Sequence, residues 1–108
     1  MSRIRSIHPE NWPVNFRGNF RHLYVVQEGE NGPIKVGIAA NAFWRLGELQ
    51  VGNPRRLHLR AVFEGPDKRR IFDLEQRVHG RLSGFAISGE WFDCPAKHAI
   101  SVINEEAR

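Results

Sequence analysis

Glu75 and His79 stand four residues apart in the stretch LEQRVH, so on a helix they project from one face about one turn from each other. A carboxylate suits a hard divalent cation such as Mg²⁺, which takes oxygen ligands and keeps several waters. An imidazole one turn away can contact a phosphate or relay a proton. The pair reads equally as an ordinary solvated Glu/His face. Tyr24 lies in the β-branched and aromatic run 22–27 (HLYVVQ), and Lys35 and Gly37 lie in a second run, 33–38 (PIKVGI). An ammonium near the Tyr24 hydroxyl would favour phenolate, which suits a general base or a group that orients water. The plainer reading is a tyrosine packed on a sheet with its hydroxyl at the edge. Cys94 and His98 have C-x-x-x-H spacing, but zinc needs about four protein ligands and the chain has one cysteine, so a zinc site is excluded there. No Walker, nucleophile-elbow or zincin string occurs, which leaves nucleotide-triphosphate, serine-hydrolase and zinc-protease chemistry without support.

These residues need elements to position them. The runs 22–27 and 33–38 flank EGENG, a turn-rich segment of hairpin length. Alternation places Leu23 and Val25 on one face and Tyr24 and Val26 on the other; in the second strand Ile34, Val36 and Ile38 share a face opposite Lys35 and Gly37. A glycine inside a strand marks a close approach by backbone or ligand. Asn41 is a suitable N-cap for a helix to about Gln50 carrying Arg45. Leu57, Leu59, Ala61 and Phe63 alternate with His58, Arg60 and Val62, a half-buried strand. After Gly65-Pro66-Asp67, a second helix has Ile71, Leu74, Val78 and Leu82 as its core stripe, with Gly84 as its stop. Residues 88–92 (SGEWF) read as a short extended piece. Asp93 and Pro95 open a third helix with Ala96, Ala99, Ile100 and Ile103 facing inward. The expected fold is α+β: a small antiparallel sheet, hairpin plus third strand, with helices packed around it.

With 108 residues there is room for one domain, and 41% hydrophobic residues argue against disorder. Residues 1–21 read as a basic arm (Arg3, Arg5, Arg17 and Arg21 against Glu10), whose Trp12, Val14, Phe16 and Phe20 suggest partial docking; 22–108 is the domain body. No apolar run reaches the roughly 20 residues of a membrane helix, and no secretory leader is evident, so a cytoplasmic setting is expected. Sixteen Lys and Arg against twelve Asp and Glu give +4, and thirteen of the sixteen are Arg, whose planar fork matches phosphate oxygens. Nucleic acid is a plausible partner on that basis, and an Arg-rich codon bias is the alternative.

Taken together, the chain resembles the GIY-YIG nuclease family. Leu23-Tyr24-Val25 falls where the first triad would, with Tyr24 as its tyrosine. Lys35-Val36-Gly37 falls where the second would, with Gly37 as its glycine and Lys35 in place of tyrosine. More closely it is similar to a phage-associated branch. Ile34-Lys35-Val36-Gly37, Arg45-Leu46, Asn53-Pro54, Leu74-Glu75 with His79, and Gly89-Glu90-Trp91-Phe92 follow that branch in order across about residues 22–94.

The resemblance implies a metal-dependent DNA endonuclease with a one-metal mechanism: Glu75 holds Mg²⁺ or Mn²⁺, Tyr24 activates or orients water with Lys35 assisting, Arg45 meets the non-bridging phosphate oxygens and His79 contacts phosphate or shuttles a proton. Glu90 is then either a supporting acid or a helix cap. Arg55, Arg56, Arg60, Arg69 and Arg70 are candidates for gripping DNA backbone, a contact that positions without reading sequence. No membrane partner and no small-molecule cofactor are expected. With Lys35 at a tyrosine position, a catalytically inactive nucleic-acid-binding module stands as the alternative, and a phage or mobile-element protein-interaction factor as a third reading.

Overall fold

The computed structural model describes residues 4–12 and 21–108. Arg3, Val14, Phe16, Arg17 and Phe20 of the basic segment lie outside the described residues. The centre is the antiparallel hairpin β2 (His22–Glu28) and β3 (Ile34–Ala39), in which Tyr24 sits opposite Gly37. β4 (Leu57–Glu64) pairs with the other side of β2. The fold is α+β as expected, but the sheet has six strands rather than three. β1 (Arg5–Ser6) adds to the outer edge of β4, and a small hairpin, β5 (Ala86–Ser88) and β6 (Trp91–Phe92), adds to β3, giving the order β1-β4-β2-β3-β6-β5. Residues 88–92 are therefore the end of one strand, the turn and the second strand of a hairpin, with Gly89 at φ +57 where a side chain would be strained.

Both faces of the sheet are covered. On one, Leu23, Val25, Ile34, Val36, Ala61 and Phe63 pack against α2 (Lys68–Arg81) and α3 (Ala96–Glu106), which contribute Ile71, Leu74, Val78, Ala99, Val102 and Ile103. On the other, Tyr24, Val26, Leu57 and Val62 pack against α1 (Ala42–Val51), with Ile7 and Trp12 alongside. The expected alternation of β4 holds only for its second half. Val25 pairs with Ala61 but Val26 with Leu59, so Arg60 is the extra residue of a bulge. One inserted residue reverses every side chain beyond it. Leu57 and Leu59 accordingly join the Tyr24 face, while Ala61 and Phe63 join the other.

The helix ends are fixed by side chains. Asn41 Oδ1 accepts from the backbone N–H groups of Phe43 and Trp44 at 3.0 and 3.1 Å, and Asp67 Oδ1 accepts from Arg70 N–H at 2.8 Å. α2 ends at Arg81, before Gly84, which lies within a 3₁₀ turn at Ser83–Phe85 rather than at the cap. α1 is also tied to the sheet: buried His22 accepts the Ala42 N–H through Nδ1 at 2.9 Å. That bond requires a ring nitrogen free of its proton, and burial holds the His22 pKa below its ordinary value, against the opposing pull of Glu64. A depressed folded pKa means that the stability it contributes is present above pH 6.5 and is lost as pH falls below it. The urea midpoint is therefore expected to decline between pH 7.5 and 5.5. His22→Gln, which still offers an acceptor but no imidazole to protonate, should show a shallower decline.

Candidate functional site

The site forms where β3 loses its outer neighbour. β6 pairs with β3 only at Ile34 and Lys35, and the Val36 N–H then donates to the Glu90 carbonyl at 3.2 Å. From Gly37 onward β3 has β2 as its only strand partner among the described residues. The Tyr24 ring crosses toward this edge over Gly37. A Cβ at position 37 would lie 2.5 Å from the Tyr24 hydroxyl and 3.1 Å from Glu90 Oε1, so only glycine leaves the crossing open. Tyr24 is 2% exposed.

Three elements converge on that hydroxyl. From α1, Arg45 hydrogen-bonds the Tyr24 oxygen and also pairs with Glu48 at 3.3 Å. From α2 come Glu75 and His79, and from the β5–β6 turn comes Glu90. Burial raises the Tyr24 pKa; hydrogen bonding to Arg45 opposes this, and the charges of Glu90 and Glu75 reinforce it. The expectation that Lys35 favours phenolate is thereby corrected. Lys35 Nζ is held instead by Glu90 Oε1 at 2.9 Å, with the Trp91 ring centroid 5.7 Å away. Its charge answers Glu90 rather than Tyr24.

Glu75 is 3% exposed, which overturns the solvated-face reading of the Glu/His pair. Oε1 accepts from Gln76 at 3.3 Å, and Oε2 has no hydrogen-bond partner. Burial raises its pKa, Glu90's charge adds to the rise and His79 opposes it. His79 Nε2 lies 2.8 Å from the Val36 carbonyl, which can only accept, so Nε2 carries the proton. One ligand atom each from Glu75, His79 and Glu90 falls within 4.8 Å of the others. An orphaned buried carboxylate oxygen beside a second carboxylate suits a hard divalent cation. With His79 Nε2 committed as a donor, the two carboxylates are the fitting ligands. Glu90 is the member that spacing along the chain does not bring to Glu75; the strand register that sets it beside Lys35 does so.

The five candidate backbone-gripping arginines do not share a surface. Arg55 pairs with Glu28, and Arg60 with Gln27 and Glu30, at the hairpin end of the sheet beside exposed Arg56. Arg69 and Arg70 sit at the start of α2 beyond the far end of β4, roughly 20 Å away at about 3.3 Å per strand residue, and Arg70 is bound to Asp67 at 2.6 Å.

One buried carboxylate, a second that is partly exposed, an arginine on a tyrosine hydroxyl and an imidazole gather at one open sheet edge of a small α+β domain. A family model, the T5orf172 domain, matches residues 21–106, and the chain belongs to that phage-associated, nuclease-like family. Membership is compatible with a nuclease-like or DNA-binding role. No curated protein and no solved structure matches the chain. No helix among the described residues is long and apolar enough to cross a membrane.

Because the folded Glu75 pKa is raised, the stability tied to its neutral form is present below the ordinary value of 4.5 and lost as pH rises through the folded pKa. Glu75→Gln should therefore raise the Tm of the metal-free protein at pH 7, with the difference from wild type closing below pH 4.5. Differential scanning calorimetry across that range checks both the sign and the window.

Proposed function

We propose that this chain is a metal-dependent DNA endonuclease that hydrolyses phosphodiester bonds in the manner of GIY-YIG enzymes. The observation that carries the proposal is the buried Glu75 Oε2, which accepts no hydrogen bond and stands 4.0 Å from His79 Nε2, beside Glu90 at the open edge where Arg45 meets Tyr24. Glu75 and Glu90 would hold Mg²⁺ or Mn²⁺, which supplies polarisation of the scissile phosphate and stabilisation of the leaving oxygen. Arg45, kept fully protonated by its bonds to Tyr24 and Glu48, pairs with the non-bridging oxygens as charge accumulates on phosphorus. The Tyr24 hydroxyl, protonated in the resting site, orients the attacking water by hydrogen bonding. His79, its Nε2–H held by Val36, presents its ring beside the phosphate and fixes the packing of α2 on β3. Lys35 sets the position of Glu90.

A silent DNA-binding module is the second reading, favoured by Lys35 at a position that carries tyrosine in two-tyrosine GIY-YIG enzymes. Nicking of supercoiled plasmid separates the two. Wild type should nick with Mg²⁺ or Mn²⁺ and not with chelator. Glu75→Ala should abolish nicking while DNA binding stays intact or tightens, because a negative charge near the phosphates is removed. Arg45→Ala should slow nicking by about 10²–10³-fold, as for other preorganised charge-stabilising groups. Wild type inert with every divalent cation tried, or Glu75→Ala nicking at the wild-type rate, would refute the enzyme.

A further inference from the structure

The contacts between β3 and α2 run in opposite directions along the two elements. His79 meets Val36, and Glu75 stands by Gly37 through Glu90. Farther along β3, Ile38, Ala39 and Ala40 line a cleft of about 260 Å³ with Arg21 and with Lys68 and Ile71 of the first turn of α2. The distances agree from both sides. Gly37 to Ala40 spans roughly 10 Å at about 3.3 Å per residue, and Glu75 back to Lys68 spans about 10 Å at 1.5 Å per residue. The carboxylate site and the cleft are thus consecutive stations on one seam. Lys68, Phe72, Glu75 and His79 follow the spacing i, i+4, i+7, i+11 and fall on one side of α2. Between the cation and the carboxylate on that side stands Phe72, 47% exposed.

The residue chemistry along the seam is ordered. Lys68 is exposed and has no ion pair among the described residues, and Arg21 lines the same cleft, so two cations stand about 10 Å from the carboxylates. Among the described residues the cleft's remaining lining, Ile38, Ala39, Ala40 and Ile71, is apolar, and a phenyl ring lies next along the helix. Cations alone fit any phosphate backbone. An apolar cleft beside those cations, and an exposed ring between Lys68 and the carboxylate site, fit the flat face of a base, which a duplex keeps inside its own stack. A span of about 10 Å covers on the order of three base steps at the 3.4 Å rise of one duplex strand, and fewer in an unstacked strand.

We infer that this seam binds an unpaired DNA strand. Lys68 and Arg21 take a backbone phosphate one or a few nucleotides from the one at Glu75, and Phe72 with the apolar cleft takes the face of an intervening base. The inference rests on the nuclease reading for which phosphate lies at Glu75, but the binding preference does not depend on cleavage.

The test is fluorescence anisotropy in chelator, where no metal-dependent cutting occurs, with a labelled single-stranded oligonucleotide and a blunt duplex of equal length. Wild type should bind the single strand more tightly. Phe72→Ala should weaken single-strand binding by about 5- to 150-fold, the range for losing one stacked base, while duplex binding stays within twofold. Lys68→Gln should reduce the slope of log affinity against log salt by about 0.7 on the single strand, the value for one lost phosphate contact. Tighter binding to the duplex by wild type, or a folded Phe72→Ala protein with unchanged single-strand affinity, would overturn the inference. If the preference and the Phe72 effect appear while plasmid is never nicked, the seam stands and the nuclease reading falls. If plasmid is nicked but the preference is absent, the reverse holds.

Discussion

The Tyr24 phenol can reach the edge of the sheet only by passing over its neighbouring strand, and position 37 lets it pass by having no side chain. The other groups of the site are arranged around that crossing. Arg45 arrives from the face covered by α1 and Glu75 from the face covered by α2, so the two meet only at an edge. The edge exists because β6 pairs with β3 for two residues and stops. Had β6 continued along Gly37 and Ile38, its backbone would fill the space that opens beside Tyr24. His79 takes over part of the missing strand's role by satisfying the Val36 carbonyl, which lets the sheet end there without a buried unpaired acceptor. The shortness of β6 is thus as much a part of the site as any side chain.

The electrostatics of this edge work against the fold and are tolerated by it. Burial opposes ionisation of Glu75, and the charge of nearby Glu90 adds to that opposition. Lys35 relieves one side only: it holds Glu90 and leaves Glu75 Oε2 with no donor. A buried acceptor without a donor costs about 1–3 kcal/mol. The two apolar clusters that sandwich the sheet supply the stability that offsets this, and both lie on regular, capped elements. A rigid sheet flanked by capped helices can keep an unsatisfied carboxylate in place where a loop would let it turn to solvent.

Most of the scaffold was legible because it follows simple periods. The alternation in 22–27 and 33–38, the stripe Ile71, Leu74, Val78 and Leu82, and the cap at Asn41 each state a local preference that the tertiary structure keeps. What was not legible has specific causes. The bulge at Arg60 leaves no compositional mark, since leucines suit either covered face, and a sheet buried on both sides does not reveal its register through polarity. β1, β5 and β6 are two or three residues long, too short for any period. Tyr24, Gly37 and Glu75 could be singled out by residue type and spacing, whereas the place of Glu90, bonded to Lys35 across 55 positions, depends on a strand pairing remote in sequence.

The arginine-rich composition is where sequence and structure diverge most. Arg5, Arg45, Arg55, Arg60, Arg70, Arg77 and Arg81 all pair with acids of this chain, so the charge of these seven is largely answered locally. Such surface pairs are worth only about 0–1 kcal/mol, and a phosphate can displace the carboxylate at little loss. For an exposed pair such as Arg55–Glu28, exchange of partners would give affinity without location, because the hairpin end carries nothing with which a phosphate could react. At Arg45 the circumstances differ. Its second bond goes to Tyr24, which is buried and cannot leave, so the guanidinium stays aimed at the sheet edge whichever anion replaces Glu48. The distinction between a cation that merely attracts phosphate and one that positions it is therefore made by what holds its other side, a property of the fold that a count of arginines does not contain.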